Sequence, residues 1–470
     1  MNETSQNNVS AARIDASCRV PLLALFGGAA LWLVVGLILA IIASLTFHAP
    51  QMFANCAWLT YGRVQPAAND AILYGFAIPA ALGVILWIFA RLSETELVLP
   101  LVPIAAANIW HLGVFIGLIA ILIGDSTGFQ WLEFPRGSSV LLFAAFLLIA
   151  ISAAATFGAR RARALQPPHW FLLAALFWFP WIYSTANLFL LSGHPVRGVT
   201  QAVIDWWFAN NLIFIWLALV GLGTAFYFLP KFAGRPLQNH YFALFAFWTL
   251  ILFGTWCGIP QGAPVPAWLP ALSSVASVLT IVPLIAIAII FGKTVCGANV
   301  SCKGGPFCYV KFGTAAFILS GLMLIALGCP YFSRIAEFTW FSPAQTQLQI
   351  LGFFVIVICG AIYELLPRVM NFELPFPKFV RVQHWFFILG IALLVLPLAI
   401  GGIAQGLKNF NFETALPFLR VSTLGFLFLL LGSLLFAANI FAMTLKWKLS
   451  LLKSFIAAVR APLETAEVKS

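Results

Sequence analysis

The residues of this chain that are able to do chemistry are few. There are six histidines, His48, His111, His169, His194, His240 and His384, and imidazole is the usual donor to haem iron and to copper. No two of them stand at i, i+3 or i+4, so no helix face carries a metal-binding pair. Only His111 lies well inside an apolar run, where a lone histidine is expected to be a hydrogen-bonded structural residue. Cys296, Cys302 and Cys308 share one short Gly-rich connection at C-x5-C-x5-C spacing. With a fourth ligand three thiolates could hold zinc or a cluster. This spacing matches no common site, and ordinary free thiols are the expectation in a reducing compartment. Asp125 and Glu133 flank Gly128-Phe129-Gln130-Trp131, and Asp205 precedes Trp206-Trp207. We read Asp125, Trp131, Glu133 and Asp205 as an outer rim of interfacial aromatics and carboxylates, able to dock a cation or a partner domain. Glu364, four residues before Arg368, is a proton-relay carboxylate, a side chain that snorkels to the interface, or an ion-pair partner of Arg368.

The elements that must position these groups are membrane helices. Hydrophobic residues make up 62% of the 470 positions and charged ones 8%, against about a quarter charged in a soluble fold. Apolar runs fall at 21–47, 70–90, 101–123, 138–158, 170–192, 206–229, 240–258, 268–291, 312–332, 343–366, 384–404 and 421–445. Each is of spanning length, which predicts about twelve transmembrane helices. The first run is too long for the core of a cleavable signal peptide.

Basic residues crowd alternate connections: Arg91; Arg160, Arg161 and Arg163; Lys231 and Arg235; Lys293, Lys303 and Lys311; Arg368, Lys378 and Arg381; and the tail from Lys446. The other connections hold Arg63, Arg136, Arg197, Arg334, Lys408 and Arg420. That asymmetry puts both termini in the cytoplasm, and it accounts for the net charge of +11 without nucleic acid, for which no module is present. The expected organisation is a cytoplasmic segment 1–20, one membrane domain 21–445 and a cytoplasmic tail 446–470. Pro180, Pro260 and Pro283 interrupt runs, where neighbouring helices must satisfy the freed carbonyls.

Several stretches resemble subunit I of the haem-copper oxidases, in the branch of the cbb-type cytochrome c oxidases and nitric oxide reductases. They are Tyr61-Gly62-Arg63-Val64-Gln65-Pro66, Trp206 to Asn211 running through Tyr227 to Pro236 and on to Phe247-Trp248, and Gly352 through Tyr363-Glu364-Leu365-Leu366-Pro367-Arg368. The resemblance covers about 55–445 and implies an all-α, roughly twelve-helix bundle in the inner membrane. It implies haem b and copper held by six histidines. Carried over residue by residue, the haem-ligand positions fall on Ala68, Gln345 and Gln347, and the copper-ligand positions on Asn210, Pro260 and Gln261. The family's cross-linked tyrosine falls near Gly254. Tyr227, at a position the family uses for proton delivery, is kept, and with Glu364 forms the candidate remnant of a proton route.

Alanine and proline offer no donor side chain, and neutral amides are poor ligands for either metal. The expected protein is therefore a haem- and copper-free relative, a structural or regulatory component of a respiratory complex with other oxidase or c-type cytochrome subunits, surrounded by lipid. One alternative is a proton or ion channel or carrier using the vacated cavity, lined by Gln345, Gln347, Gln349, Asn210 and Asn211. The other is a terminal oxidase or nitric oxide reductase with unorthodox ligands such as His111 or Cys257.

Overall fold

The structure, a computed structural model, describes residues 3–162, 164–237, 239–296, 302, 304–407 and 411–467. Arg163, Lys303 and Lys408, counted above among the connection charges, lie outside the described residues. The described chain is helical and multi-pass, and eleven helices are long and apolar enough to cross a bilayer. We number the major helices α1 (Glu3–His48), α2 (Tyr61–Ser93), α3 (Leu101–Ile123), α4 (Arg136–Gly158), α5 (Pro167–Leu191), α6 (Val199–Ala233), α7 (His240–Gly254), α8 (Trp268–Val295), α9 (Pro306–Gly328), α10 (Phe341–Met370), α11 (Pro377–Gly406) and α12 (Phe412–Glu467). All the expected runs are helices. α7 falls short of its run, stopping at Gly254 and leaving Pro260 in the following connection, outside any helix, whereas α1 and α12 extend well beyond theirs.

Helix ends follow local chemistry. Gly124 closes α3 at φ +105°, its N–H reaching the carbonyls of Ala120 and Ile121, and Gly234 closes α6 at φ +62°. Both adopt the left-handed conformation that glycine accepts without steric cost. Gln166 and His169 cap α5 reciprocally. Pro180 sits within α5, whereas Pro283 follows an irregular turn of α8 at Thr280, whose hydroxyl donates to the Ser277 carbonyl at 2.6 Å.

Burial separates the helices into two classes. The most apolar windows of α2, α6 and α10 are 100%, 100% and 89% buried, while those of the other long helices are 39–50% buried. Three helices therefore form the centre and the rest wrap them. The outward faces of the ring expose large apolar side chains such as Leu101, Trp248 and Trp268, as a surface solvated by lipid must.

Each central helix contains a π-helical stretch, at Ala71–Ala77, Asn211–Trp216 and Leu348–Val355. At the ends of the first two, Ile78 N–H bonds Leu73 and Leu217 N–H bonds Leu212. Such insertions are frequent at functional sites.

The two chain ends lie on one face. Arg19 Nε donates to the Val369 carbonyl at 2.8 Å, and Lys446 sits over the Phe372 ring. At the other face the Ser44 and Thr423 hydroxyls meet at 2.6 Å. We call these the terminal and the opposite face. The segment 1–20 is no separate element. From Glu3 it forms the first turns of α1, with Ile14 and Cys18 buried, and α12 likewise runs unbroken past 446.

One buried charge ties α1 to the centre. Asp15 accepts from Trp87 Nε1 and Arg91 Nε, each at 2.8 Å, and pairs with a second guanidinium nitrogen of Arg91. Replacing Asp15 by Ala strands two donors in a largely buried site, a loss of about 2 kcal/mol by the usual cost of charged hydrogen bonds. The Asp15→Ala protein is expected to melt several degrees below wild type in detergent; an unchanged midpoint would show that this contact does not hold α1 in place.

Candidate functional site

The six positions singled out by resemblance gather in the opposite half of the bundle, on α2, α6, α10 and the connection after α7. A π-helical stretch begins directly after or within three residues of those on the central helices: Ala68 before Ala71, Asn210 before Asn211, and Gln345 and Gln347 before Leu348. Two cavities open beside them. One, of about 500 Å³, is lined by Asn210, Pro260 and Gln345 among others. The second, of about 330 Å³, is lined by Gln347, Gln65 and Asn69. Gln130, Trp131, Trp340 and Thr346 face both.

The side chains at these positions are engaged with the protein itself. Asn210 Nδ2 donates to the Gly254 carbonyl at 2.9 Å, tying α6 to the end of α7. Gly258, at φ +93°, approaches so closely that a Cβ there would lie 2.5 Å from that of Asn210. Gln345 Nε2 donates to Ser320 Oγ at 3.0 Å, joining α10 to α9. Gln261 Nε2 donates to the Pro270 carbonyl at 2.8 Å and to Ser274 Oγ on α8, while its backbone N–H reaches the Glu337 carboxylate. Ala68 is fully buried and Pro260 half-buried.

This donor set does not fit haem or copper. None of the six histidines lines either cavity. The ring of His111 packs against Gly28 of α1, where a Cβ would meet its Nε2 at 2.3 Å, and His384 packs on Tyr309 at 4.8 Å. Cys257 is buried and its thiol reaches the Phe253 carbonyl. Among the described residues no three His, Cys, Asp or Glu gather at metal-binding distance. Aromatic rings occupy the space between the central helices: Phe317 lies 4.8 Å from Phe353 and 6.3 Å from Phe214, and Phe353 fills the notch left by Gly221.

Several expectations need correction. Gln345 and Gln261 take hydroxyl and carbonyl partners, and Gln349, fully buried, has no hydrogen-bond partner at either side-chain atom. Of the polar residues expected to line a vacated cavity, Asn210, Gln345 and Gln347 do so, whereas Gln349 does not and Asn211 instead accepts from Trp178 Nε1 at 3.2 Å.

The outer rim is also different. Asp125 is exposed, but Trp131 and Glu133 are 4% and 7% exposed, and Asp205 is half-buried with its carboxyl facing the Gln130 N–H. The 124–135 segment folds inward because Tyr74 Oη donates to the Trp131 carbonyl and Thr127 Oγ1 to the Leu132 carbonyl. An alternating acidic and aromatic pattern in a connection does not reveal which side chains turn in. The three loop cysteines are not all free: Cys302 and Cys308 form a disulfide with Cα atoms 5.4 Å apart, and Cys296 is exposed.

At the terminal face the structure brings Tyr227 and Glu364 into one charged neighbourhood with Asp15, Arg91 and Arg368. Lys231 Nζ sits 3.6 Å above the Tyr227 ring, and Glu364 pairs with Arg368. Glu364 is thus an ion-pair partner of Arg368. Asp15 and Lys231, missed in the sequence, were signalled by an acid and a base just outside apolar runs that end beside each other.

Comparison with known proteins matches residues 20–422 to the family model for cytochrome c and quinol oxidase polypeptide I. The cbb3-type cytochrome c oxidase subunit CcoN1 of Stutzerimonas stutzeri is 23% identical over 431 residues, covering 88% of this chain and 90% of that one. Cytochrome c oxidase subunit 1 of Rhodobacter capsulatus is 23% identical over 450 residues, covering 88% and 83%. A solved haem-copper terminal oxidase, studied as a dimer, superposes with a TM-score of 0.76 at 13% identity, covering 91% of this chain and 84% of the other. That last likeness speaks to the fold. The chain therefore belongs to the family of cytochrome c and quinol oxidase polypeptide I and is a multi-pass membrane protein built on that bundle.

Proposed function

We propose that this chain is a haem- and copper-free member of its family that serves as a structural or regulatory subunit of a respiratory membrane complex. The observation that carries the reading is chemical. At the positions where the family places its ligands stand Ala68, Asn210, Pro260, Gln261, Gln345 and Gln347, and three of those side chains already bond neighbouring helices. In such enzymes the cofactors carry the redox chemistry and the protein orients and tunes them, so a chain that cannot hold them keeps the scaffold alone. A channel through the vacated site has less support, since Phe214, Phe317 and Phe353 close the space between the central helices. Purified protein is expected to show no pyridine haemochrome and no stoichiometric copper by elemental analysis. One haem per chain would refute the reading.

The partner is another respiratory subunit, for the relatives CcoN1 and subunit 1 are themselves named as oxidase subunits. Extraction from native membranes in mild detergent is expected to yield a complex larger than this chain and containing a cytochrome or oxidase-like protein. A lone monomer or homodimer in several gentle detergents, with no respiratory neighbour in cross-linked membranes, would contradict it.

The terminal face is cytoplasmic in this reading, because Arg19, Arg91, Lys231, Arg368 and Lys446 all belong to it. Cys56 and Cys296 are both exposed and lie in connections of opposite faces. A membrane-impermeant maleimide applied to intact cells is expected to label Cys56 and spare Cys296. The reverse pattern would invert the topology.

A further inference from the structure

Asp70 lies in the central helix α2 and is completely buried, and no N–H or O–H donor reaches either of its carboxyl oxygens. The group within hydrogen-bonding reach of it is another carboxyl, that of Glu133, which is itself buried and has one oxygen without a donor. The titratable groups facing this pair are Tyr74 of α2, Tyr183 of α5 and Asp205 of α6. No lysine, arginine or histidine is among them. A second observation points into the same place: the buried Tyr183 hydroxyl, within electrostatic range of Asp70, has no hydrogen-bond partner of good geometry.

Two hydrogen-bond acceptors that face each other in a low-dielectric interior repel unless a proton lies between them. A metal ion is the other way to hold two carboxylates, but no third ligand of metal-binding type joins them among the described residues. We propose that Asp70 and Glu133 form a proton-binding site in which the two carboxyls share a proton, and that this proton latches the 124–135 segment over the two cavities. The latch follows from connectivity. Gln130 and Trp131 of that segment wall both cavities, and Tyr74, one turn beyond Asp70, holds the Trp131 carbonyl. Loss of the proton sets two adjacent negative charges against each other, with Asp205 adding to the repulsion, and pushes the segment outward. Burial pushes the Glu133 carboxyl up from 4.5 to about 7, which places the release near neutral pH.

Infrared spectroscopy of the wild-type protein tests the proton directly. The C=O stretch of a protonated carboxylic acid, recognised by its shift in deuterium oxide, is expected at neutral pH, is expected to fade on alkalinisation, and is expected to be lost in Asp70→Asn/Glu133→Gln. Absence of that band in the wild type overturns the site, as does its persistence in the double variant; absence of the band together with a tightly retained divalent cation makes it a metal site instead.

Stability gives a second readout. Because Glu133 binds its proton more tightly in the fold than in the unfolded chain, its contribution is full below 4.5 and is lost as pH rises to about 7. The melting midpoint of the wild type is expected to fall across that window more steeply than that of Glu133→Gln. Parallel curves count against the site.

The latch is read by hydrogen exchange of residues 124–135, compared at each pH with Asp70→Asn, whose amide donates to Glu133 and cannot ionise. Exchange in the wild type relative to the variant is expected to rise by up to about tenfold per unit of pH between 4.5 and about 7 and to level off above it. A constant ratio, with the infrared band present, leaves a proton site and overturns the latch.

Discussion

Hydrocarbon offers no partner to a backbone N–H or C=O, and this constraint orders the whole molecule. Regular helices meet it alone, but a π-helical turn leaves carbonyls off the regular ladder and is tolerated only where protein surrounds it. All three π-helical stretches lie on α2, α6 and α10, the helices the others enclose. The ring can therefore be straight and plainly apolar, as α3 and α4 are, while irregularity is confined to the centre. The same centre holds buried polar side chains such as Asp70, Asn211 and Gln349, away from lipid.

Once the centre is enclosed, packing decides what it can hold. Glycine positions admit aromatic rings across helix pairs: Phe26 enters the notch at Gly83, Phe134 that at Gly117 and Phe353 that at Gly221. Interiors packed to native density leave little unassigned volume. The larger of the two cavities described lies beside Gln130, Trp131, Asn210 and Gln345 in the opposite half, where polar groups line it. The two faces differ in kind. At the terminal face carboxylates find cations, Asp15 with Arg91 and Glu364 with Arg368. At the opposite one Asp70 and Glu133 find each other.

The helices were legible because a spanning run of apolar residues admits little else, and the boundaries of α3, α4 and α5 fall within about three residues of the runs. The hydropathy signal overextended α7, since Cys257 is apolar and buried without being helical. Direction within a connection was not legible. Trp131 and Glu133 read as rim residues because their types suit an interface, and only the hydrogen bond from Tyr74 to the Trp131 carbonyl turns them inward. Long-range pairs were equally hidden: Asp15 and Trp87 are 72 positions apart. Asp70 could have been singled out, for it stands at the mouth of an apolar run that it then enters, and an ionisable residue inside a span is a site by default.

The nature of the substitutions carries the last step. Simple abandonment of buried metal sites in a bilayer would favour apolar residues, because an amide buried without a partner costs several kcal/mol in hydrocarbon. Four of the six positions nevertheless hold Asn or Gln, and the structure shows three of these amides spanning gaps between elements: Asn210 joins α6 to the end of α7, Gln261 joins the connection after α7 to α8, and Gln345 joins α10 to α9. Where the resemblance puts metal ligands, a metal would clamp the same elements together, and its binding energy would count toward folding. Hydrogen bonds across those gaps supply a weaker version of the same clamp, each about 1 kcal/mol net, without any cofactor. A bundle fastened in this way can fold before, or without, the delivery of haem or copper.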